Sequence, residues 1–147
     1  MPCRSHYVKL RPVQNGTLRI VEVVAAIIFN AAGKVLAVKC PEHKNNGGWE
    51  FPGGKIEAGE SREAAIVREI REELDVCIEV DAFLHTVEWD YPDFHLRMHC
   101  FKAHICRGEI HLHEHADSRW LGQGELHSVA WLPADVEVLP HVLPLLK

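Results

Sequence analysis

The sequence predicts an α/β/α sandwich, in which a mixed β-sheet lies between two helical layers. Three observations predict this class. Strand-like runs lie on both sides of a single amphipathic segment that follows Glu60 and ends near Val76. A last apolar segment after Trp131 is expected to be helical, with Pro140 and Pro144 limiting its length. Strands that alternate with helices in this way pack as layers around one core.

Length, charge and cysteine content narrow the class of protein. A chain of 147 residues is expected to form one domain, and its net charge of −5 argues against binding to a nucleic acid backbone. No apolar run is long enough to span a membrane, and no signal sequence opens the chain. The five cysteines include no CxxC pair, which indicates a cytoplasmic protein without a disulfide framework or zinc knuckle.

The elements before the amphipathic segment are predicted in order as follows. Residues 1–17 form an N-terminal arm or edge segment, and the domain covers residues 18–147. The β-branched run 18–29 is a strand, a turn at 30–33 follows, and the run 34–40 is its hairpin partner. A short strand at 49–51 then leads directly into Pro52-Gly53-Gly54.

The elements after that segment are also mostly strands. The runs 77–89 and 94–106 are expected to form a long hairpin around a turn at 91–93. A strand at 118–121 and a short helix at 123–127 precede the C-terminal helix.

The amphipathic segment carries a cluster of acidic residues. Val67, Ile70 and Leu74 fall on one side of a helix, with Ile66 on its flank. The spacing places three glutamates on one face, roughly opposite the apolar side: Glu69, Glu72 and Glu73. Unpaired neighbours of this kind repel by about 0.2–0.5 kcal/mol per pair, whereas a divalent cation would stabilise them. The alternative is a solvated face whose charge is neutralised by Arg62, Arg68 and Arg71.

The spacing of residues around this acidic cluster favours metal binding over a solvated face. Gly54, five residues, Glu60, seven residues and then the run 68–76 (REIREELDV) resemble the signature box of the Nudix hydrolases, a loop–helix–loop that holds metal on a diphosphate. One position departs from the pattern, since Asp75 stands where the family has glycine. Asp tolerates the left-handed conformation of a C-cap, so we expect this change to affect stability more than chemistry. The resemblance implies the same sandwich fold, with the sheet between the box helix and a C-terminal helix.

The resemblance also implies roles for individual residues. Glu69 and Glu73 would be metal ligands, and Glu72 either shares a metal or serves as general base. The cofactor would be Mg²⁺, with Mn²⁺ as a substitute. Gly54 would contribute its backbone carbonyl. Arg68 would orient a neighbouring carboxylate, and Glu60 would support the box, although helix capping and ion pairing explain Glu60 equally well.

A further acid is implied outside the box. WEFPGGKIE and the late Leu-Pro-Ala-Asp look most like the MutT branch, whose members place a glutamate in the loop before the late strand. Glu114 matches that position and is a second candidate for the general base and a further candidate metal ligand. An alternative rests on His111, His113 and His115, which alternate. A strand would place them on one face, where three imidazoles can bind zinc, although such a stripe is more often a solvated face.

Substrate contacts are predicted at three positions. Asp135 matches the residue with which the MutT branch reads its base, although it could instead cap the helix. Phe51, or Trp49, could stack on the base, and each is equally consistent with the core. Relatives commonly have an arginine where this chain has Cys40, so Lys39, or Lys44 from the following loop, is expected to contact phosphate.

The sequence therefore predicts a Mg²⁺-dependent nucleoside triphosphate pyrophosphohydrolase. The expected partner is a small nucleotide, with 8-oxo-dGTP as the leading substrate in sanitation of the nucleotide pool, and CTP or dCTP, including modified cytosines, as the alternative. A non-catalytic nucleotide-binding module on the same fold and a diphosphate hydrolase of nucleotide sugars or capped RNA are two further hypotheses. We expect a monomer or a small homo-oligomer.

Overall fold

The computed structural model describes residues 19–147, so the N-terminal arm predicted at 1–17 lies outside the described residues. Within that range the chain forms seven strands and three α-helices. The strands are β1 (Arg19–Ile28), β2 (Val35–Lys39), β3 (Trp49–Glu50), β4 (Gly53–Lys55), β5 (Cys77–Asp90), β6 (Phe94–Arg107) and β7 (Asp117–Leu121). The helices are α1 (Arg62–Leu74), α2 (Pro133–Val136) and α3 (Leu139–Val142).

A mixed four-stranded sheet forms the centre of the fold. Its strand order is β4-β1-β6-β5, with β1 and β6 parallel and the other two pairs antiparallel. Strand β1 is buried from Val23 to Ile28, because both of its faces are covered. Its apolar, β-branched composition is typical of a strand in this position. The mixed sheet confirms the predicted fold class.

The two faces of this sheet carry separate apolar clusters. Helix α1 covers one face, where its buried residues Ile66, Ile70 and Leu74 pack with Val24, Ala26 and Ile28 of β1. Helices α2 and α3 cover the other face, where Val138, Leu139 and Val142 pack with Val23, Ala25 and Ile27. Alternate residues of β1 therefore serve different helical layers, as the period of two in a strand requires.

The predicted pairing of β1 with the run 34–40 is wrong. Strand β2 belongs to a second, three-stranded antiparallel sheet of order β3-β2-β7. The predicted turn is present, since Asn30 N–H donates to Lys34 O at 2.9 Å and Phe29 forms an antiparallel bridge with Val35. Beyond that bridge the strands separate, because β1 is already paired on both sides, with β4 and β6.

The later elements agree with the sequence more closely. Strands β5 and β6 form the predicted long hairpin, with three register shifts along its length. The predicted C-terminal helix is instead divided into α2, α3 and a 3-10 turn at Leu143–Leu145, each with a proline in its first turn. A proline lacks the N–H that a continuing helix needs, so each one begins a new helical segment. Within residues 19–147, no helix has the length and apolar character needed to cross a membrane.

Candidate active site

Helix α1 begins and ends with residues suited to those positions. The hydroxyl of Ser61 accepts a hydrogen bond from Ala64 N–H at 3.1 Å, which caps the N-terminus. Asp75 ends the helix in the left-handed conformation, with φ of 61°, and its N–H donates to Arg71 O at 3.0 Å. The αL conformation expected for Asp75 is confirmed. These two caps fix which residues of the acidic run lie within the helix.

The three glutamates of α1 do not share one environment. Glu69 and Glu73 are buried, whereas the Glu72 side chain is 44% exposed. The expectation that all three oppose the apolar side is therefore wrong for Glu69 and Glu73. They are buried because Gly54 of β4 lies against Glu69, and His115, from the loop before β7, lies beside Glu73. Two carboxylates one turn apart are thus withdrawn from bulk water.

Glu69 lies directly against Gly54. A Cβ atom built on Gly54 would overlap the Glu69 carboxylate, so any other residue here would displace that carboxylate from its position. The preceding glycine has a different role, because a Cβ on Gly53 would overlap the backbone of Val24 in β1. Gly53 therefore allows β4 to pair closely with β1, and Gly54 allows the backbone to approach Glu69.

Arg68 connects the loop before α1 with the acids of the helix. Its guanidinium donates to both carboxylate oxygens of Glu60, at 2.7 and 2.9 Å, and to Glu69 Oε1 at 2.7 Å. It also donates to Lys55 O at 3.0 Å and more weakly to Glu72 Oε2 at 3.4 Å. These contacts support the predicted role of Arg68 in orienting a neighbouring carboxylate.

Glu60 organises the loop rather than the helix terminus. Its Oε1 atom accepts a hydrogen bond from Glu57 N–H at 3.0 Å, in addition to the two from Arg68. The Arg68 hydrogen bonds, followed by that of Glu57 N–H, lower the pKa of Glu60 to about 2. The hydrogen bonds of Arg68 to Glu60, and then to Glu69, raise the pKa of Arg68. Both groups remain charged over the whole physiological range.

The pKa of Glu69 is shifted in the opposite direction to that of Glu60. Burial raises its pKa to about 7, and the hydrogen bond from Arg68 only partly opposes this shift. Its Oε2 atom is buried and has no hydrogen-bond partner among residues 19–147. A divalent cation fits this oxygen, because it would compensate the buried negative charge and is coordinated by carboxylate oxygens in proteins.

No three His, Cys, Asp or Glu side chains within residues 19–147 converge closely enough to hold an ion by themselves. Mg²⁺ does not require such a cage, since it keeps several waters and binds through one or two carboxylates plus substrate phosphates. Glu69, together with Glu73 one turn later, supplies a carboxylate pair of that kind.

The structure of residues 108–116 contradicts the prediction that three histidines lie on one face of a strand. It contains no strand, so the three imidazoles do not share a face. His113 Nε2 lies 2.9 Å from Asp75 Oδ1, and His111 Nδ1 lies 3.7 Å from Asp75 Oδ2, both at the surface. His115 is buried elsewhere, beside Glu50. The zinc alternative is therefore wrong.

Glu114 lies in the loop before β7, as the sequence predicts. Its Oε2 atom is 3.7 Å from Lys44 Nζ, which brings the loop at 41–48 next to the segment 108–116. Lys39, at the end of β2, pairs instead with Glu42 at 3.2 Å. Cys40 is buried and packs with Leu132. The roles of Glu114 and Lys39 toward metal and phosphate stay predictions.

Phe51 and Asp135 are completely buried, which does not support direct contact with a base. Phe51 stacks on Trp131, with ring centroids 4.5 Å apart. The Oδ1 atom of Asp135 accepts a hydrogen bond from Phe51 N–H at 2.9 Å. Asp135 thus ties α2 to the segment that precedes Gly53. For Phe51 the structure favours the core alternative. Asp135 does not cap the helix, since Leu132 is the N-cap residue and Asp135 lies within α2.

One buried pair close to this site was not predicted from the sequence. Glu50 and His115 are both about 1% exposed, and His115 Nε2 lies 3.0 Å from Glu50 Oε2. The other ring nitrogen, Nδ1, lies 3.9 Å from Glu73 Oε2. An available signal was the charged Glu50 between Trp49 and Phe51 in an otherwise apolar strand. Its partner could not be found from spacing, because 65 positions separate the two residues.

Comparisons with known proteins identify the family of this chain. The NUDIX domain model matches residues 19–144. The chain is similar to a CTP pyrophosphohydrolase of Escherichia coli K12, with 34% identity over 135 residues that cover 83% of this chain and 90% of the relative. It is also similar to a putative 8-oxo-dGTP diphosphatase 2 of Mycobacterium tuberculosis, with 33% identity over 77% of this chain and 81% of the relative.

A solved structure supports the same assignment. The solution structure of the E. coli ORF135 protein is similar over 91% of this chain and 94% of its own, with a TM-score of 0.75 and 32% identity. The residues that the NUDIX domain model matches include the whole of α1 and the glycine pair before it. Together with the arrangement of Gly54, Arg68, Glu69 and Glu73, these similarities show that the chain belongs to the Nudix hydrolase family, whose enzymes act on phosphoanhydride bonds.

Proposed function

We propose that this protein is a Mg²⁺-dependent nucleoside triphosphate pyrophosphohydrolase, which converts a triphosphate and water to the monophosphate and pyrophosphate. The observation that carries the proposal is the buried Glu69 carboxylate against Gly54, with Glu73 one turn later. This pair can hold a divalent cation on a substrate that brings its own phosphate oxygens. When bound, Mg²⁺ neutralises charge on the phosphates and aligns the attacking and leaving groups.

The protein residues have separate parts in this proposal. Glu69 and Glu73 hold the cation, together with the carbonyl of Gly54. Arg68 fixes the orientation of Glu69 through the 2.7 Å contact to Oε1, which leaves Oε2 directed toward Gly54. Glu72 is exposed and can accept a proton from a water molecule, and Glu114 is the second candidate for that step.

The proposed leading substrate is 8-oxo-dGTP, which is the substrate in the name of the M. tuberculosis relative. CTP is a second candidate, because the E. coli relative named as a CTP pyrophosphohydrolase is matched over 90% of its length. Both bases carry an exocyclic amine that an acceptor in the protein could bind. The acceptor is not expected to be Asp135 as it stands, since that side chain is buried.

The test is a panel of canonical and oxidised nucleoside triphosphates with Mg²⁺, in which pyrophosphate release is measured. We expect release from at least one triphosphate, and the ratio of kcat/KM for 8-oxo-dGTP and CTP identifies the preferred base. Glu73→Gln should abolish turnover while the circular dichroism spectrum remains that of the wild type. Glu109→Gln, which changes an exposed carboxylate in the loop after β6, is the matched control.

Two outcomes would contradict the proposal. Release of inorganic phosphate alone would mean that a different bond is cleaved. Tight nucleotide binding without any product would favour the non-catalytic module. Full activity of Glu73→Gln would instead refute the assignment of that residue as a ligand.

A further inference from the structure

Three buried side chains from distant parts of the chain meet beside the candidate metal site. His115 lies between two carboxylates, with Nε2 3.0 Å from Glu50 Oε2 and Nδ1 3.9 Å from Glu73 Oε2. All three side chains are between 1% and 2% exposed. Glu73 belongs to the Nudix box, whereas Glu50 and His115 are outside it.

The backbone around His115 is held on both sides. Ala116 N–H donates to Lys39 O at 2.8 Å, which attaches the loop to the end of β2. His111 N–H donates to Leu74 O at 2.9 Å, which attaches the start of the same segment to the end of α1. The ring of His115 is therefore presented from a fixed backbone and not from a free loop.

The contact with Glu50 gives the ring a defined orientation. An ionised carboxylate can only accept hydrogen bonds, so Nε2 is the donor in the contact with Glu50. A buried carboxylate without such a donor would be costly, which accounts for a histidine at this place. With Nε2 directed at Glu50, Nδ1 lies on the side of the ring that faces Glu73, 3.9 Å from Oε2. The imidazolium form carries an N–H on both ring nitrogens, so in that form the ring faces each carboxylate with a donor and a positive charge.

We propose that His115 is a positioning residue for the metal ligand Glu73, with Glu50 holding its ring in place. Carboxylates that bind metals are themselves oriented by surrounding polar groups, and loss of such a group typically reduces metal affinity or activity by about 10–100-fold. The inference rests on the proposed function only in taking Glu73 as a ligand. It adds two residues to the site that the box does not contain.

Another buried histidine provides a matched comparison. The His99 side chain is also buried and contacts a carboxylate, although that of Glu22 is 46% exposed: its Nε2 lies 2.8 Å from Glu22 Oε1 and its Nδ1 lies 2.9 Å from Thr86 Oγ1. It lies in β6 and contacts no residue of the box in these hydrogen bonds. His99→Phe therefore measures what the loss of a buried, carboxylate-bound histidine does to stability alone.

The experiment measures Mn²⁺ binding to the whole protein by calorimetry in the absence of nucleotide. We expect His115→Phe and Glu50→Gln each to weaken Mn²⁺ binding by about 10–100-fold, and the double variant to be little worse than either single variant. His99→Phe should bind Mn²⁺ with the wild-type affinity. In turnover assays, His115→Phe should raise the Mg²⁺ concentration needed for half-maximal rate more than it raises the nucleotide KM. His115→Gln, which keeps one donor, should recover part of the loss.

Unchanged Mn²⁺ affinity in a folded His115→Phe protein would overturn the inference. If that variant does not fold, as judged by circular dichroism and a melting curve, Glu50→Gln decides by the same measurement. Equal losses in His115→Phe and His99→Phe would also overturn it, because they would indicate a general loss of stability. Failure of the proposed function would give a different result. The wild type would then hydrolyse no triphosphate, whereas the Mn²⁺ affinities of the wild type and the variants could still be compared.

Discussion

The guanidinium of Arg68 and the carboxylate of Glu60 form a two-point contact, with Nε 2.7 Å from Oε2 and Nη2 2.9 Å from Oε1. The same guanidinium reaches Glu69 Oε1 through Nη1 at 2.7 Å. One planar group therefore couples the loop before α1 to the buried acid within it. Because the contact with Glu60 is bidentate, it fixes the plane of the guanidinium and so the direction of the hydrogen bond from Nη1 to Glu69.

We predict that Arg68→Lys impairs the site although the charge is kept. A lysine cannot make the two parallel bonds to Glu60 and also reach Glu69, so the carboxylate of Glu69 loses its fixed orientation. The expected loss of kcat/KM is about 10–100-fold, as for other groups that orient metal ligands. Arg71→Lys, on the same helix but directed at Cys77, is the control. Wild-type kinetics in Arg68→Lys would contradict the orienting role.

The Glu60 contact also predicts a response to acid. The pKa of Glu60 is lowered to about 2 in the folded protein from an ordinary value of 4.5, so its contribution to stability is present above pH 4.5 and is lost as pH falls toward 2. We expect the melting temperature of Glu60→Gln to fall less than that of the wild type between pH 4.5 and pH 2.5. Equal falls in the two proteins would exclude a stabilising role for this contact.

Gly54→Ala is predicted to damage the metal site selectively. The added methyl group would overlap the Glu69 carboxylate, so that side chain must move. We expect loss of Mg²⁺-dependent activity with a moderate loss of stability. Gly124→Ala meets no atom within 4 Å and should behave as the wild type. Gly53→Ala should lower the melting temperature most, because its methyl group would meet the backbone of Val24. Mg²⁺ titrations and melting curves of the three variants check the ranking.

The raised pKa of Glu69 predicts how stability and metal binding depend on pH. Between pH 4.5 and about 7 the folded protein keeps a proton that the unfolded chain has lost, so this group's contribution to the free energy of unfolding decreases as pH rises through that window. Glu69→Gln removes the decrease. We expect the metal-free variant to gain melting temperature relative to the wild type from pH 5 to pH 8.

Mg²⁺ should stabilise the wild type more than Glu69→Gln. The increase in melting temperature that Mg²⁺ causes should grow in the wild type as pH passes 7, because only the ionised carboxylate binds the cation. In Glu69→Gln, the increase in melting temperature caused by Mg²⁺ should be small at every pH. A Mg²⁺ effect of the same size in both proteins would show that Glu69 is not a ligand.

Asp75 allows a prediction about the departure from the family pattern. The residue has φ of 61°, a conformation that costs most L-residues about 1–2 kcal/mol but glycine little. We expect Asp75→Ala to be less stable than Asp75→Gly by about 1 kcal/mol in urea unfolding. Asp75→Asn, which tolerates the same backbone, should lie between them. Nucleotide hydrolysis should change little in Asp75→Gly, since the surface contact with His113 is the main side-chain interaction lost.

Much of the fold could be predicted from local pattern. The C-cap at Asp75, the position of α1 and the β5–β6 hairpin depend on residues within about four positions or on a single turn, and the box spacing lies within one continuous stretch, residues 54–76. The separation of β1 and β2 into two sheets could not be predicted in this way. The turn between them is an ordinary hairpin turn, and the partners of β1 lie far away in the sequence, in β4 and β6.

The candidate site shows the same division. The sequence by itself determined that Glu69, Glu72 and Glu73 occupy one helix beside a glycine pair, because helical periodicity is a local property. Only the tertiary structure decided that Glu69 and Glu73 are buried while Glu72 is exposed, that Phe51 and Asp135 belong to the core, and that His115 joins Glu50 to Glu73. Burial of a helix residue depends on which distant strands and loops cover the helix. The free energy of packing that fixes this arrangement comes from contacts between residues that no local sequence pattern connects.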